Sequence, residues 1–302
     1  MMLPEYLSES DLRAVITRAV EEDVGDGDVT TLATVPRGAV TSGAFICKQD
    51  GVLAGVQAAN LVFDSLDRDI RIDWVVPDGG KVRCGQTVAT ISGTAHGVLL
   101  GERTALNLLQ RMSGIATQTR RMVDIAGPYG VEILDTRKTA PGLRALDKWA
   151  VRLGGGRNHR IGLFDMILIK DNHIAVAGGL GPAVQAALEF AAAHSRDLEI
   201  EVEVRTLDEV REAASIPGID ILLLDNMVAV DSEGAVDTST LKQAVSIING
   251  SLRTEASGNV SLATVEQIAA AGVNYISCGA LTHSASALDL SLQLDFSEAS
   301  QR

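Results

Sequence analysis

The amino-acid sequence predicts an α/β fold with a parallel β-sheet in its C-terminal two thirds. Six short aliphatic runs, each ending in polar residues, recur about 20–35 residues apart. The runs span 131–138, 165–173, 198–205, 219–226, 253–259 and 274–280, and helical segments lie at 182–194, 207–215 and 262–272. Alternating strands and helices are typical of successive βα units. At least six such units favour a closed barrel over an open sheet.

The first third of the chain mixes element types. Ser8 and Ser10 precede apolar residues at helical spacing, which predicts an amphipathic helix over 9–22. Residues 39–47, 70–76 and 81–92 alternate as strands do, and PDGG at 77–80 predicts a turn between the last two. A long helix is then predicted from His96 to about Ile125.

Composition excludes several classes of protein. Of the 302 residues, 46% are hydrophobic and 22% are charged, so the chain is neither disordered nor a coiled coil as a whole. A net charge of −13 and an aromatic content of 3% disfavour nucleic-acid binding. Three separated cysteines predict no disulfide framework, and no apolar run reaches the roughly 20 residues that span a bilayer. We therefore expect a cytoplasmic protein with no nucleic-acid or membrane partner.

The charge balance inverts between residues 135 and 173, where eight cations stand against four acids. The cations are Arg137, Lys138, Arg144, Lys148, Arg152, Arg157, Arg160 and Lys170, with His159 and His173 beside them. A solvated face is one interpretation. Placement at successive strand ends and in the glycine-rich loop 154–162 favours convergence on one pocket. Since arginine pairs bidentately with carboxylates and phosphates, such a pocket predicts a small, multiply anionic substrate.

An acidic group follows on the next two strands. Glu199, Glu201 and Glu203 alternate with aliphatic residues, so their carboxylates share one strand face, a pattern that an exposed edge strand would also give. Asp225 ends the following strand. Carboxylates at neighbouring strand ends suit Mg²⁺ bound through water and substrate phosphate. With the cationic pocket, they predict phosphoryl or pyrophosphoryl chemistry.

Two further strand ends carry glycine turns. Ser257–Gly258–Asn259 and Cys278–Gly279–Ala280 can bring backbone N–H groups close to a phosphate. Consecutive loops late in a barrel are the usual position of a phosphate site. The chain has no P-loop, dinucleotide-binding or GxSxG motif.

Several of these segments together resemble a known family, the carboxylating nicotinate-nucleotide pyrophosphorylases, or quinolinate phosphoribosyltransferases. The strings are EDVGDGDVTT, GERTALNLLQRMSGIAT, DTRKTAPGLRALDKWAV, GGGRNHRIGLFDMILIKDNH, EVEV, LLLDNM, EASGNV and CGALTHS. They run in family order from about residue 20 to 290, and the block 135–173 is the most specific. The chain departs from the family pattern at Arg205, commonly an acid, and at Asn259, usually glycine.

This resemblance implies a type II phosphoribosyltransferase fold. An α/β sandwich of residues 1–112, rejoined by the tail 287–302, would accompany an incomplete, seven-stranded α/β barrel of residues 113–286. The implied enzyme is a pentosyltransferase of NAD biosynthesis, and it joins quinolinate to phosphoribosyl pyrophosphate. The products would be nicotinate mononucleotide, carbon dioxide and pyrophosphate.

The resemblance also implies roles for single residues. Arg137, His159 and Arg160, with Arg103 from the partner of a homodimer, would bind the two carboxylates of quinolinate, near Thr136. Lys138 and Lys170 would lie between that carboxylate and pyrophosphate. Glu203 and Asp225 would hold the Mg²⁺-bound ribose and pyrophosphate, with Glu201 an alternative to Glu203. The 5′-phosphate site would comprise Ser257, Gly258, Asn259, Cys278, Gly279 and Ala280.

Two other interpretations remain open at this point. One is a related pyrophosphorylase, either ModD-like or acting on nicotinate, although a monoacid needs fewer cations than this sequence provides. The other is a non-catalytic anion-binding protein on the same fold. Such a protein would be expected to lose Lys138, Lys170 or the Glu203–Asp225 pair, and all four are present.

Overall fold

A computed structural model describes residues 3–194 and 197–295 of the chain. The helices are α1 Glu9–Val24, α2 Val29–Thr34, α3 Val56–Leu66, α4 Ala95–Ala126, α5 Arg144–Leu153, α6 Asp171–Ala177, α7 Leu180–Ala193, α8 Leu207–Ala214, α9 Ser239–Ile248, α10 Val265–Ala269 and α11 Ala280–His283. The strands are β1 Val40–Cys47, β2 Gly51–Val52, β3 Arg71–Trp74, β4 Lys81–Val82, β5 Thr87–Thr94, β6 Glu132–Leu134, β7 Ile167–Ile169, β8 Ile200–Val204, β9 Ile221–Asp225, β10 Ala229–Val230, β11 Val236–Asp237, β12 Arg253–Ser257, β13 Tyr275–Ser277 and β14 Leu290–Leu294.

The chain divides into two compact units. The first contains residues 1–120, 140–155 and 284–302, and the second contains 121–139 and 156–283. Compared with the expected domains, residues 113–120, 140–155 and 284–286 group with the first unit rather than the second. Within that unit the fully buried Asp147 of α5 accepts two 2.8 Å hydrogen bonds from Arg111 of α4, and Trp149 of α5 is buried.

The first unit contains an antiparallel sheet with the strand order β14-β1-β5-β3. Its helix α1 begins where the sequence predicted, since the Ser8 side chain accepts a hydrogen bond from the backbone N–H of Asp11. Phe45 of β1 packs edge-on against Phe63 of α3 and stacks on Trp74 of β3. Strand β14 pairs with β1, so residues 290–294 complete this sheet. Residues 296–302 of the expected tail lie outside the described residues.

The second unit contains the predicted parallel sheet. Its six strands have the order β6-β13-β12-β9-β8-β7, so every strand lies beside its sequence neighbours apart from the first pair. On the free side of β6, Leu134 forms an isolated parallel bridge with Arg157. This bridge is a single residue pair and not a further strand. The parallel sheet agrees with the expected α/β fold, but it has six strands in the described residues where seven were expected.

The carboxyl ends of these strands carry the polar residues that the sequence analysis selected. The run 165–173 forms a strand only over β7, because Lys170 is the N-cap of α6 and the ring of His173 accepts the Lys170 backbone N–H. Strand β8 lies between β7 and β9, with Glu201 and Glu203 buried, so the edge-strand interpretation of its alternating glutamates is wrong.

Within the described residues, no single helix has both the length and the apolar composition needed to cross a bilayer. Helices α6 and α7 meet these criteria only as a pair, and the chain bends by 91° between them.

Candidate active site

A cavity of about 510 Å³ opens at the carboxyl ends of the barrel strands. This volume suits a small-molecule ligand. The residues around it come from every strand of the sheet, including both edge strands. They are Asp135, Thr136, Arg137, Lys138, His159, Arg160, Leu168, Lys170, Glu203, Arg205, Leu223, Asp225, Asn226, Glu255, Ser257, Gly258 and Ser277.

Cations without counterions form one side of the cavity. Arg137 and Arg160 make no ion pair with a carboxylate in the described part of the chain, and the Nε of Arg137 is buried without a hydrogen-bond partner there. Partial burial and the neighbouring Arg137 lower the pKa of Arg160. Two adjacent guanidinium groups that lack carboxylate partners are suited to bind an anionic ligand.

A buried carboxylate fixes the loop that carries two of these basic residues. Asp135, which follows β6, accepts hydrogen bonds from the backbone N–H of His159 at 2.9 Å and from the side-chain amide of Asn158 at 2.5 Å. Of the eight clustered cations, four line the cavity, so the convergence hypothesis is confirmed for these and not for Arg157, which pairs with Glu132 instead.

A second part of the lining, the acidic side, carries the Glu203 and Asp225 carboxylates, and both are paired with cations. Lys170 Nζ hydrogen-bonds Glu203, and the Arg205 guanidinium reaches three carboxylates. Its nitrogens lie 2.9 Å from Glu203 Oε1, 3.3 Å from Asp225 Oδ2 and 2.7 Å from Asp171 Oδ2. Because one cationic group contacts both Glu203 and Asp225, their oxygens face a common space. Carboxylate oxygens in that arrangement are the ligands that Mg²⁺ prefers.

A histidine and two buried acids form a cluster, of which His159 and Glu255 line the cavity. His159 Nε2 is 2.8 Å from Glu201 Oε2 and 3.5 Å from Glu255 Oε2. Burial raises the pKa of Glu201 to about 7. Burial, together with the nearby Glu201 carboxylate, raises the pKa of Glu255 to about 8. Glu201 thus contacts the site through His159 and does not line the cavity itself.

The first glycine turn, at Gly258, lies next to the acidic side of the cavity. Gly258 has φ +91°, and a Cβ there would lie 2.2 Å from Asn226 Oδ1, so only glycine fits. Asn226 in turn donates its backbone N–H to Ser257 and its side-chain amide to Asp225. Asn259 turns away, because its side-chain amide donates to the Val228 carbonyl. Ser257 and Gly258 line the cavity, whereas Asn259 does not.

The second glycine turn lies behind Lys138. A Cβ at Gly279 would approach the Lys138 side chain to 2.9 Å, and Thr282 donates its hydroxyl to the Lys138 carbonyl. Cys278 is buried, which raises the pKa of its thiol, and does not line the cavity. Neither Gly279 nor Ala280 reaches it.

Arg103 lies in the other unit, on α4. Its side chain is exposed, whereas Thr104, Ala105 and Leu106 beside it are buried. Its role in a partner's site stays a prediction.

Sequence reasoning did not assign a role in the site to five polar residues that line the cavity. They are Asp135, Arg205, Asn226, Glu255 and Ser277. Glu255 had the clearest signal, since a carboxylate stands in the middle of the otherwise uncharged stretch TEAS of a predicted barrel strand. Arg205 was noted only as a departure from the family pattern.

Comparison with known proteins identifies the family. A sequence model of the quinolinate phosphoribosyl transferase C-terminal domain matches residues 115–293, and the model of the N-terminal domain matches residues 28–113. The chain belongs to the quinolinate phosphoribosyl transferase family.

Relatives within this family match over nearly the whole chain. The nicotinate-nucleotide pyrophosphorylase [carboxylating], chloroplastic, of Arabidopsis thaliana is 50% identical over 291 residues, which cover 94% of this chain and 83% of the relative. The nicotinate-nucleotide pyrophosphorylase [carboxylating] of Mycobacterium leprae is 42% identical over 285 residues, covering 93% and 96%. The solved structure of the nicotinate-nucleotide pyrophosphorylase from Francisella tularensis superposes with a TM-score of 0.85 at 36% identity, covering 98% of this chain and all of that one.

The raised pKa of Glu255 predicts a pH-dependent stability. When a carboxyl stays protonated in the folded protein but ionises in the unfolded chain, the free energy of unfolding falls as pH rises. For Glu255 the window runs from the ordinary value of 4.5 to about 8. Glu255→Gln, which is neutral throughout, should remove part of this fall, up to about 1.4 kcal/mol per pH unit. Urea unfolding at a series of pH values measures the slope.

The control for that series is Glu212→Gln, on the exposed face of α8. Its slope should match the unsubstituted protein. An unchanged slope in Glu255→Gln would show that Glu255 does not exchange a proton in this window.

The contact between Gly258 and Asn226 predicts a position-specific effect of adding a methyl group. Gly258→Ala should displace Asn226 and weaken inorganic phosphate binding at least tenfold, in addition to the strain of a left-handed alanine, about 1 kcal/mol. Gly250→Ala is the matched control, because Gly250 has φ +75° and nothing within 4 Å of its added Cβ. Calorimetric titration and thermal unfolding separate binding from strain, and equal effects at both positions would contradict the contact.

Proposed function

We propose that this protein transfers the phosphoribosyl group of phosphoribosyl pyrophosphate to quinolinate. Quinolinate then loses its 2-carboxylate, and the products are nicotinate mononucleotide, carbon dioxide and pyrophosphate, as in de novo NAD biosynthesis. The observation that carries this proposal is the two-sided cavity. Its lining combines Arg137 and Arg160, which have no carboxylate partner in the described residues, with the carboxylates of Glu203 and Asp225. The chain also belongs to the quinolinate phosphoribosyl transferase family.

Quinolinate would occupy the basic side. Its two carboxylates supply the negative charge that Arg137 and Arg160 lack, and bidentate pairing fixes the plane of the pyridine ring. His159 and Thr136 line the same side of the cavity. Lys138 and Lys170 would lie between this subsite and the pyrophosphate, where their ammonium groups neutralise both anions.

Phosphoribosyl pyrophosphate would occupy the acidic side together with Mg²⁺. The carboxylates of Glu203 and Asp225 would hold the metal, directly or through water. When bound, Mg²⁺ neutralises charge on the departing pyrophosphate. Ser257 and Gly258 would bind the 5′-phosphate, with the neighbouring turn at Cys278, Gly279 and Ala280 and the backbone of Asn259 in support.

Positioning and charge carry the reaction. Departure of pyrophosphate leaves positive charge at the ribose C1′ atom, which the Glu203 and Asp225 carboxylates can stabilise. The pyridine nitrogen attacks C1′ directly, so no enzyme nucleophile is needed. The ribosylated ring is a pyridinium, whose positive nitrogen stabilises the electron pair left at C2 when carbon dioxide departs. That carbon then takes up a proton from solvent. Arg137 and Arg160 hold the ring in place for both steps.

We also propose a homodimer in which Arg103 enters the partner's cavity and adds a cation to the basic side. An exposed arginine on α4, followed by three buried residues, supports the proposal. A cytoplasmic location stays a prediction, since the Arabidopsis relative is named chloroplastic.

The alternative enzymes are not favoured. The relatives found in sequence are named as carboxylating or decarboxylating enzymes, and those names describe quinolinate chemistry rather than transfer to nicotinate.

The activity predicts a fixed product ratio. Nicotinate mononucleotide and carbon dioxide should form in equal amounts from quinolinate and phosphoribosyl pyrophosphate, and only with a divalent metal. Chromatography of the nucleotide and trapping of labelled carbon dioxide measure both products. Turnover of nicotinate at similar efficiency would contradict the substrate assignment.

The two sides of the cavity predict separate binding defects. Arg137→Ala or Arg160→Ala should weaken quinolinate binding by roughly 2–5 kcal/mol, because it unpairs a charge-assisted contact, and should affect phosphoribosyl pyrophosphate less. Asp225→Ala should do the reverse. Arg157→Ala is the control for Arg160, since the Arg157 side chain pairs with Glu132 away from the cavity. Equilibrium binding measurements with each substrate test this prediction. Equal losses of affinity for both substrates would refute separate subsites.

The proposed dimer predicts complementation between two inactive variants. Arg103→Ala and Lys138→Ala should each abolish activity. In a mixed dimer, one site collects both substitutions and the other collects neither. After random exchange about half of the dimers are mixed, so activity should return to roughly a quarter of the unsubstituted level. No recovery after demonstrated exchange would mean that Arg103 does not act across the interface.

A further inference from the structure

Arg205 occupies the space in which the proposed metal would bind. We infer that its guanidinium competes with the divalent metal for Glu203 and Asp225, and that once displaced it binds the diphosphate of the substrate. Arg205 would thereby make metal binding depend on diphosphate. This inference rests on the proposed function, in that it assigns the metal to this pair of carboxylates.

The contacts of Arg205 place it at the centre of the acidic side. It is the cation that contacts Asp225 in the described part of the chain, and it shares Glu203 with Lys170. Its distances to these two carboxylates are 2.9 and 3.3 Å. Magnesium requires its oxygen ligands at about 2.0–2.1 Å and so cannot share them with a guanidinium in the same place. Direct metal ligation by Glu203 Oε1 and Asp225 Oδ2, the oxygens that contact Arg205, therefore requires the guanidinium to leave.

The structure also provides a position for the displaced group. Arg205 keeps a third partner, Asp171 on α6, through its Nη1 atom at 2.7 Å. Side chains of Arg205 and Asp171 are about half exposed, so the guanidinium can turn toward the cavity opening without losing this contact. Its backbone stays fixed, because the Arg205 N–H donates to the Glu209 carboxylate of α8.

Charge explains why the two ligands would cooperate. Glu203, Asp225 and Asp171 carry three negative charges, which Lys170 and Arg205 reduce to one. A metal arriving alone must break two ion pairs and leaves the guanidinium with a single partner. A diphosphate arriving with the metal gives that guanidinium new oxygens, and arginine binds phosphate oxygens bidentately. Each ligand therefore lowers the free energy cost of binding the other.

The experiment measures metal and diphosphate separately, without quinolinate and without turnover. Mn²⁺ binding to the full-length protein is followed by electron paramagnetic resonance with and without inorganic pyrophosphate, and pyrophosphate binding by calorimetry at a Mg²⁺ concentration that saturates the site. Arg205→Gln should bind Mn²⁺ about tenfold more tightly and pyrophosphate about tenfold more weakly, because a full charge is removed a few ångströms from each ligand.

Two further variants sharpen the test. Arg211→Gln removes an exposed cation on α8 that pairs with Asp208, and should change neither affinity. Arg205→Lys keeps the charge but cannot bridge two carboxylates, so its affinity for Mn²⁺ should lie between the other two. Weaker binding of both ligands by Arg205→Gln would show a merely structural role and overturn the inference, as would unchanged Mn²⁺ affinity.

A measurement on the unsubstituted protein does not depend on how the variants fold. The ¹⁵Nε resonance of Arg205, assigned from its loss in Arg205→Lys, should shift when Mg²⁺ is added. An unchanged chemical shift at Mg²⁺ concentrations that saturate the Mn²⁺ site would overturn the inference. Because neither readout uses catalysis, an inactive protein that passed both would contradict the proposed reaction and leave this result standing.

Discussion

Parallel pairing of the barrel strands is the constraint on which the site depends. In a parallel sheet all strands end on the same side, and the register fixes which residues share a level. Glu203 pairs with Leu223, and Leu223 pairs with Glu255. Two residues further along these strands, Asp225 pairs with Ser257. The acids and the proposed phosphate turn are therefore neighbours because their strands are in register.

Charge is distributed unevenly around this rim. The acidic side is internally neutralised by Lys170 and Arg205, whereas Arg137 and Arg160 have no carboxylate partner in the described residues. Placing like charges side by side without counterions costs stability, and a ligand recovers that cost on binding. An anion is thus expected on the basic side, and an exchange of cations on the acidic side.

Buried carboxylates support the cavity from behind. Asp135 holds the loop that carries His159, and Glu201 orients the histidine ring from below. Glu255 lies 3.5 Å from His159 Nε2, and burial together with the Glu201 carboxylate raises its pKa to about 8. Such groups raise the cost of folding, which is expected of residues kept to position others.

Periodicity and the positions of polar residues at strand ends were enough to determine, from the sequence alone, a parallel α/β fold and most of the cavity lining. These features are local, because a strand repeats every two residues and its end is marked by the polar residue that follows it. The resemblance added the family, its reaction and the expected domain arrangement.

The places of Arg205 and Glu255 in the cavity lining became apparent only from the tertiary structure. Whether a charged residue at a strand end faces solvent, a cation or another acid depends on side chains 20 or more residues away in sequence, such as Asp225 for Arg205 and Glu201 for Glu255. Contacts over that separation are set by the pairing of the parallel strands, which no local pattern encodes.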